Sequence, residues 1–207
     1  MTRKEILSIA KPILFNTDMV RAILDGRKTA TRRIAKYITQ FDDEGLYFNI
    51  FRKGEWTGPI LREQVIEEYA PYKIGDILYV RETFSTWTDG YVYKAWTSPF
   101  PQPGRYNDEF MKWHPSIHMP KQAARIFLRV TDVRMERLHN IDGHGIVSEG
   151  VNNTKSNPLM GKRWENMQRI TFSELWDSTI PKKNRDKYGW SANPWVWVIE
   201  FERVEVQ

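Results

Sequence analysis

Apolar residues fall in short stretches along the chain, and many of these stretches are rich in β-branched and aromatic side chains. Such stretches predict strands, because these side chains pack well on a pleated surface. Strands are predicted at 13–15, 46–51, 77–83, 91–96, 125–138 and 195–204. Apolar residues at helical spacing predict helices at 18–25, 60–69, 142–149 and 171–178. The chain is therefore expected to be an α+β protein in which strands dominate.

Two of the predicted strands carry further information. The strand at 195–199 is apolar at both parities and then alternates with Glu200 and Glu202, so we expect it to begin buried on both faces and to end half-exposed. In the strand at 125–138 the apolar positions change parity between Val130 and Val133. This change predicts a bulge or bend near Thr131 and Asp132 that restores the register.

Three stretches lack regular periodicity and are rich in polar residues or proline. They cover 36–59, 85–124 and 152–169 and are predicted to be loops or insertions. At 207 residues the chain is long for one domain and short for two. We expect a single domain over residues 1–207 that carries these insertions.

Composition narrows the class of protein. The net charge of +5 favours polyanionic partners, and the absence of cysteine excludes disulfides, thiolate catalysis and cysteine metal sites. No apolar run approaches the ~20 residues that a membrane-spanning helix needs. Glu5, Lys11 and Pro12 interrupt the N-terminal apolar residues, unlike a signal peptide. We expect a cytoplasmic protein with no membrane contact.

The most informative segment is 26–33, Gly-Arg-Lys-Thr-Ala-Thr-Arg-Arg, which holds four cations and two hydroxyls. It follows the predicted helix at 18–25, for which Thr17 is the expected N-cap and Gly26 the expected C′ residue. The cations therefore have a fixed place on a folded scaffold. Two interpretations follow: an exposed basic edge, or a catalytic or binding site.

Four motifs together resemble the ASCH family, the activating-signal-cointegrator homology domains. They lie at 26–33, 75–83 (Gly-Asp-Ile-Leu-Tyr-Val-Arg-Glu-Thr), 148–150 (Ser-Glu-Gly) and 193–201 (Asn-Pro-Trp-Val-Trp-Val-Ile-Glu-Phe). Together with the segment 113–120, the set is most similar to the larger ASCH-like proteins of bacteriophages and prophages. The resemblance implies a small β-barrel like that of PUA RNA-binding domains, with a mixed sheet of about 5 to 7 strands and short peripheral helices.

The resemblance also implies a candidate site. Some compact members of the family remove the acyl group of N4-acetylcytidine with a threonine nucleophile, a lysine and a glutamate. Matched by position, these roles fall on Thr31, Lys28 and Glu149. Other members are described as RNA binders or ribonucleases. The residues expected to orient a substrate are Arg27, Arg32, Arg33, Arg81 and Glu82.

Elementary chemistry leaves two roles open for Lys28. Burial and the neighbouring cations would favour a neutral lysine that acts as the base for Thr31, whereas Glu149 would favour a charged lysine that stabilises an oxyanion. Cooperation of Lys28 with Thr31 requires a bend, so we predict a turn or bulge at 27–31. Gly143 and Gly145 each disfavour the helix before Glu149 by about 1 kcal/mol relative to alanine.

The predicted function is hydrolysis of an amide on a modified nucleoside or nucleotide, similar to N4-acylcytidine. The alternatives are a non-catalytic RNA-binding module and, further, a ribonuclease. We expect a nucleoside, nucleotide or RNA as partner and no cofactor, and the oligomeric state is open. No metal is expected, because Pro115 separates His114 from His118 and no third ligand is near in sequence.

Aromatic residues offer a further candidate interaction. Most of the nine tryptophans are expected to be structural. Among them, Trp87, Trp113 and Trp190 lie in predicted loops and are the better candidates for stacking on bases.

Overall fold

A computed structural model describes residues 1–87, 90–96, 111–151 and 162–206, apart from the side chains of residues 87, 162 and 163. The chain forms two compact units that interleave in sequence. Unit 1 consists of Met1–Lys28, Gly75–Val130 and Phe201–Gln207, and unit 2 of Thr29–Ile74 and Thr131–Glu200.

Helices and strands alternate irregularly along the chain, which confirms the α+β class. The helices are α1 (Arg3–Ile9), α2 (Thr17–Leu24), α3 (Arg62–Tyr69), α4 (Gly143–Ser148), α5 (Lys162–Thr179) and α6 (Arg185–Tyr188). The strands in the first part of the chain are β1 (Lys11–Leu14), β2 (Ala30–Ile34), β3 (Ile38–Gln40), β4 (Tyr47–Arg52), β5 (Glu55–Trp56), β6 (Ile60–Leu61) and β7 (Ile77–Arg81). The later strands are β8 (Phe84–Trp87), β9 (Gly90–Tyr93), β10 (Phe127–Arg137) and β11 (Trp195–Val204). Single turns of 3-10 helix occur at Ser116–His118, Lys121–Ala123, Leu138–Asn140, Lys182–Asn184 and Trp190–Ala192.

In unit 1, β7 is the central strand of a mixed sheet. It pairs in parallel with β1 and antiparallel with the first residues of β10, with Leu78 opposite both Lys11 and Leu128. The strands β8 and β9 form a separate antiparallel pair. A core of apolar side chains, among them Ile6 and Phe127, covers this sheet.

In unit 2, the later part of β10 neighbours β11, and β11 pairs antiparallel with β2. A smaller sheet joins β4 to β3 on one edge and to β5 and β6 on the other. A second core includes Ile146 of α4, Phe172 of α5 and Val198 of β11. The pairings of the described residues form open sheets rather than a closed barrel.

The two informative strands behave as their patterns predict. Four residues of β11, from Val196 to Ile199, are buried, and exposure begins at Glu202. In β10, Val130 is buried and the next buried residue is Val133, so the change of parity is confirmed although the strand is continuous.

Helix α2 shows one correction. Its N-cap is Asn16, whose side chain accepts a hydrogen bond from the Met19 backbone N–H, so the assignment of the cap to Thr17 is wrong. Gly26 follows the helix with a φ of 73°, as expected of a C′ residue. The next three residues are outside regular strands, and β2 begins at Ala30. The predicted turn or bulge at 27–31 is therefore wrong for residues 30 and 31, which belong to the regular strand β2, and the turn lies earlier, at Asp25 and Gly26.

Two predicted loops also contain regular structure. The helix predicted at 171–178 begins at Lys162, inside the segment predicted as the loop 152–169. The segment 36–59 holds β3, β4 and β5. Within 85–124, residues 88–89 and 97–110 lie outside the described residues. None of the described helices has the length and apolar character required to cross a bilayer.

Candidate functional site

Seven polar or charged side chains are buried among the described residues. They are Lys28, Thr31, Arg32, Glu82, Ser85, Glu149 and Gln168. Five of the seven were selected from the sequence as candidate site residues. Burying a polar group is costly unless the group is paired or serves a function, so each of these side chains requires a partner or a role.

Thr31 and Arg32 lie on β2 in unit 2 and are held in register by β11. Thr31 faces Ile199 and Arg32 faces Val198 in the antiparallel pairing. Thr31 is 2% exposed and Arg32 is 6% exposed. The segment is therefore not an exposed basic edge at these positions.

Glu149 is presented at the C-terminal end of α4. Asp142 caps the helix by accepting a hydrogen bond from the Gly145 N–H, and Glu149 itself is the C-cap residue. Gly150 follows with a φ of 79°, which ends the helix. The Ser148 carbonyl accepts a hydrogen bond of 2.9 Å from the Thr29 N–H, so the end of α4 is tied to the residue just before β2.

Arg32 connects two carboxylates that come from different elements. Its Nε and Nη2 donate to Oε1 of Glu136 at 3.1 and 2.8 Å. Its Nη1 donates to Oε1 of Glu149 at 3.4 Å. The side chains of Arg32 and Glu149 are 3% and 5% exposed, so this ion pair lies away from solvent. Arg32 is thus engaged in positioning Glu149.

A glycine of α4 makes room for this arrangement. A Cβ atom added to Gly145 would lie 3.0 Å from Arg32 Nη2 and 3.0 Å from Ile141 Cγ1. The sequence marks Gly145 as a weakness of the helix, but the structure shows that α4 forms and that the missing side chain lets the guanidinium approach.

Arg33 is the next residue of β2 and faces Trp197. Burial lowers the pKa of the Arg33 guanidinium, while the charges of Glu149 and Tyr72 raise it. Arginine nevertheless stays protonated in proteins. A partly desolvated cation therefore lies in the electrostatic range of Glu149.

Lys28 is the last residue of unit 1 and is 2% exposed. Its backbone N–H donates to the Ala22 carbonyl at 3.0 Å, just after α2. Its Nζ lies 5.5 Å from the centroid of the Phe15 ring, within the range of a cation–π contact. Arg27, by contrast, is partly exposed and forms an ion pair of 2.9 Å with Asp25.

The remaining candidates, Arg81 and Glu82, belong to unit 1. Glu82 is fully buried and accepts two hydrogen bonds of 2.9 Å from Arg125. The guanidinium of Arg125 also lies 4.3 Å from the Tyr93 ring centroid. Arg81 donates from Nη2 to the Ile117 carbonyl, and its buried Nε has no hydrogen-bond partner in the described part of the chain.

Sequence reasoning missed Glu136 and Arg125. Each pairs with a predicted site residue, but Glu136 is 104 positions from Arg32 and Arg125 is 43 positions from Glu82. Charged residues at strand positions are common, and no local pattern marks these two. They are identified only by their contacts with Arg32 and Glu82 in the folded chain.

Comparison with known proteins leaves the family open, because no family model, curated protein or solved structure matches the chain. Over the described ranges, no group of three or more His, Asp or Glu side chains is arranged to hold a metal ion. The candidate side chains of unit 1 are an ammonium, two guanidinium groups and a carboxylate, and those of unit 2 are a hydroxyl, two guanidinium groups and a carboxylate. These are the groups required for acyl transfer by a nucleophile, a proton acceptor and an oxyanion stabiliser.

Proposed function

We propose that the chain is an ASCH-like protein with a PUA-like fold that hydrolyses an amide on a modified nucleoside or nucleotide, such as an N4-acylcytidine. The observation that carries the proposal is the burial of Lys28, Thr31 and Glu149, which are 2%, 2% and 5% exposed. The resemblance to the ASCH family selects the same three residues independently of burial. Hydrolysis by a hydroxyl nucleophile benefits from such water-excluded surroundings.

In the proposed reaction the Thr31 hydroxyl oxygen attacks the acyl carbonyl carbon. Glu149 receives the hydroxyl proton and passes it to the leaving amine nitrogen as the C–N bond breaks. A water molecule then hydrolyses the acyl-threonine ester, which releases the carboxylic acid and restores the hydroxyl. Arg32, through its contact of 3.4 Å, holds Glu149 in place.

We assign Lys28 the role of oxyanion stabiliser. Its Nζ lies 5.5 Å from the centroid of the Phe15 ring, and the face of an aromatic ring attracts cations. A fixed positive charge stabilises the negative oxygen of the tetrahedral intermediate. With Lys28 in this role, Glu149 is the proton acceptor of the proposed reaction.

The test is hydrolysis of a panel of N4-acylated cytidines and cytidine nucleotides, followed by chromatography of the products. We expect Thr31→Val to abolish turnover, because it removes the hydroxyl and keeps the branched shape. Thr31→Ser should retain part of the activity, since it keeps the nucleophile. Lys28→Met should lower kcat by about 100- to 1000-fold, as loss of an oxyanion-stabilising group does in other enzymes.

Lys183→Ala serves as the control, because this lysine is exposed and lies in a short 3-10 helix that contains none of the candidate residues. Thermal melts of each variant separate a loss of activity from a loss of folding. The proposal fails if folded wild-type protein turns over none of the acylated substrates, or if Thr31→Val remains active.

A nucleic-acid-binding module that uses the cations of 26–33 to contact phosphates is less well supported. Contacts with a polynucleotide backbone require accessible cations, whereas Lys28 and Arg32 are 2% and 6% exposed. Burial of these two residues therefore counts against direct contacts between them and phosphates.

A further inference from the structure

Three aromatic side chains form an exposed row across the small sheet of unit 2. Tyr37, Phe51 and Trp56 are 61%, 38% and 54% exposed. Phe51 lies directly opposite Trp56 in the β4–β5 pairing, and its backbone N–H donates to the Tyr37 carbonyl at 2.8 Å. The ring centroids of Tyr37 and Phe51 are 6.5 Å apart, and those of Phe51 and Trp56 are 5.1 Å apart.

The row lies on the face of the sheet that is not packed against the core. The alternate residues of β4, Phe48 and Ile50, are 0% and 4% exposed, and Phe48 packs edge-on against Trp195 at 4.9 Å. Side chains alternate between the two faces of a strand, so Phe51 points away from these residues. Single exposed apolar side chains are common, but a contiguous set marks an interaction surface.

Positive charge accompanies the aromatic row. Lys36 precedes Tyr37, and Arg52 and Lys53 follow Phe51 in the β4–β5 hairpin. All three cations are exposed, and none forms a salt bridge within the described residues. Glu55 is the single acidic residue of this hairpin. This end of the sheet therefore carries an excess of positive charge.

We propose that this aromatic row binds single-stranded nucleic acid, with bases stacked on Tyr37, Phe51 and Trp56. The flanking cations would contact phosphates. Stacking on exposed rings requires bases whose faces are open, which a duplex does not offer. The excess of positive charge favours a polyanion over an apolar protein surface.

Two of the three tryptophans selected from the sequence for stacking contact other residues of the chain. The Nζ of Lys94 lies 5.6 Å from the Trp113 ring centroid. Trp190 packs against Phe172 and His139, with centroids 5.9 and 4.5 Å apart. The side chain of Trp87 lies outside the described residues. The aromatic row lies in the segment 36–59, from which the sequence selected no stacking residue.

The experiment measures fluorescence anisotropy of labelled, unmodified RNA and DNA single strands of about 12 nucleotides, a length within known site sizes. A duplex of the same sequence is the comparison. We expect single strands to bind more tightly than the duplex, and Trp56→Ala and Phe51→Ala each to weaken binding by roughly 5- to 150-fold. Trp56→Phe should retain most of the affinity, because it keeps an aromatic face.

Two further variants sharpen the test. Lys53→Ala should reduce the slope of log affinity against log salt concentration by about 0.7, the value for one phosphate contact on a single strand. Ile74→Ala is the matched control: Ile74 is 68% exposed in unit 2 but lies outside the sheet, so its loss should leave binding unchanged.

The proposal is overturned if wild-type protein binds no single strand, or if Trp56→Ala and Phe51→Ala bind as tightly as Ile74→Ala. It is also overturned if sedimentation shows a dimer that Trp56→Ala converts to monomers, because the face would then bind a second copy of the chain. The oligonucleotides carry no acyl group, so this binding assay does not depend on whether the protein hydrolyses acylated cytidines.

Discussion

At the scale of single residues, the two glycines of α4 have different surroundings although they are two positions apart. A Cβ on Gly143 would meet Gln168 Oε1 at 3.4 Å, an ordinary contact. A Cβ on Gly145 would meet Arg32 Nη2 and Ile141 Cγ1 at 3.0 Å each. Both neighbours of Gly145 are restrained, since Ile141 is 1% exposed and Arg32 is bound to Glu136 and Glu149.

We therefore predict that Gly145→Ala lowers the free energy of unfolding by about 1 kcal/mol, because overpacking outweighs the gain in helix propensity. Gly143→Ala is the control and should be neutral or stabilising by up to about 1 kcal/mol. Urea unfolding of the two variants measures the difference. Equal stabilisation by both substitutions would show that Arg32 does not depend on a glycine at position 145.

A second residue-scale prediction concerns Tyr93, whose hydroxyl donates to the Ala123 carbonyl. Burial raises the pKa of the Tyr93 phenol, Arg125 lowers it and Glu82 raises it. The unfolded phenol ionises near pH ~10 and the folded one at higher pH, so the contribution of Tyr93 to stability is lost as pH rises above ~10.

Tyr93→Phe should therefore cost about 1 kcal/mol near neutral pH, where the hydrogen bond to Ala123 is lost. The difference in unfolding free energy between wild type and variant should shrink as pH rises above ~10. Urea unfolding over a series of alkaline pH values provides the measurement. A difference that stays constant through this range would contradict a buried, neutral phenol.

At the scale of elements, helix α2 shows how a local signal can be misplaced by one residue. Asn16 and Thr17 are adjacent, and both residue types suit an N-cap. The structure shows Asn16 Oδ1 accepting from the Met19 N–H at 2.8 Å. The choice depends on the backbone dihedral angles of the residue, which the sequence does not give.

We predict that Asn16→Ala lowers the free energy of unfolding by about 1 kcal/mol, as loss of an N-cap does elsewhere. Thr17→Ala should be neutral or slightly stabilising, since alanine is the better helix former. Thermal unfolding of the two single variants decides the point. A larger loss of stability for Thr17→Ala than for Asn16→Ala would show that Thr17 is the N-cap.

Elements with strong local signals were predicted well, and elements that depend on distant partners were not. The bounds of β11 agree with the prediction, because its apolar run is long and continuous. The strands β3, β5 and β6 were missed, since each has two or three residues and is defined by pairing with β4. Helix α5 begins in a polar segment whose helical character is not evident in apolar spacing.

At the scale of the whole molecule, the distribution of burial predicts where the chain opens first. Residues Val196–Ile199 of β11 are buried and paired with β2, whereas Glu55 and Trp56 of β5 are exposed. Local opening requires less free energy where few apolar contacts are broken.

We predict that in hydrogen exchange measured by mass spectrometry the amides of 196–199 exchange more slowly than those of 55–56, by several orders of magnitude. Both β10 and β11 contain residues of the two units. The exchange rates of peptides from these strands provide an internal comparison. Comparable protection of 55–56 and 196–199 would mean that the small sheet is covered by a partner in solution.

The sequence by itself determined the α+β class, the bounds of β11, the helix before Glu149 and the selection of Lys28, Thr31 and Glu149. Periodicity, capping and motif resemblance act between near neighbours, so they can be read along the chain. Tertiary structure decided that Glu136 binds Arg32 from 104 positions away, that Gly145 makes room for that arginine, and that Tyr37, Phe51 and Trp56 share an exposed face. Burial, ion pairing and exposure depend on which distant residues are brought together, and only the folded chain specifies that.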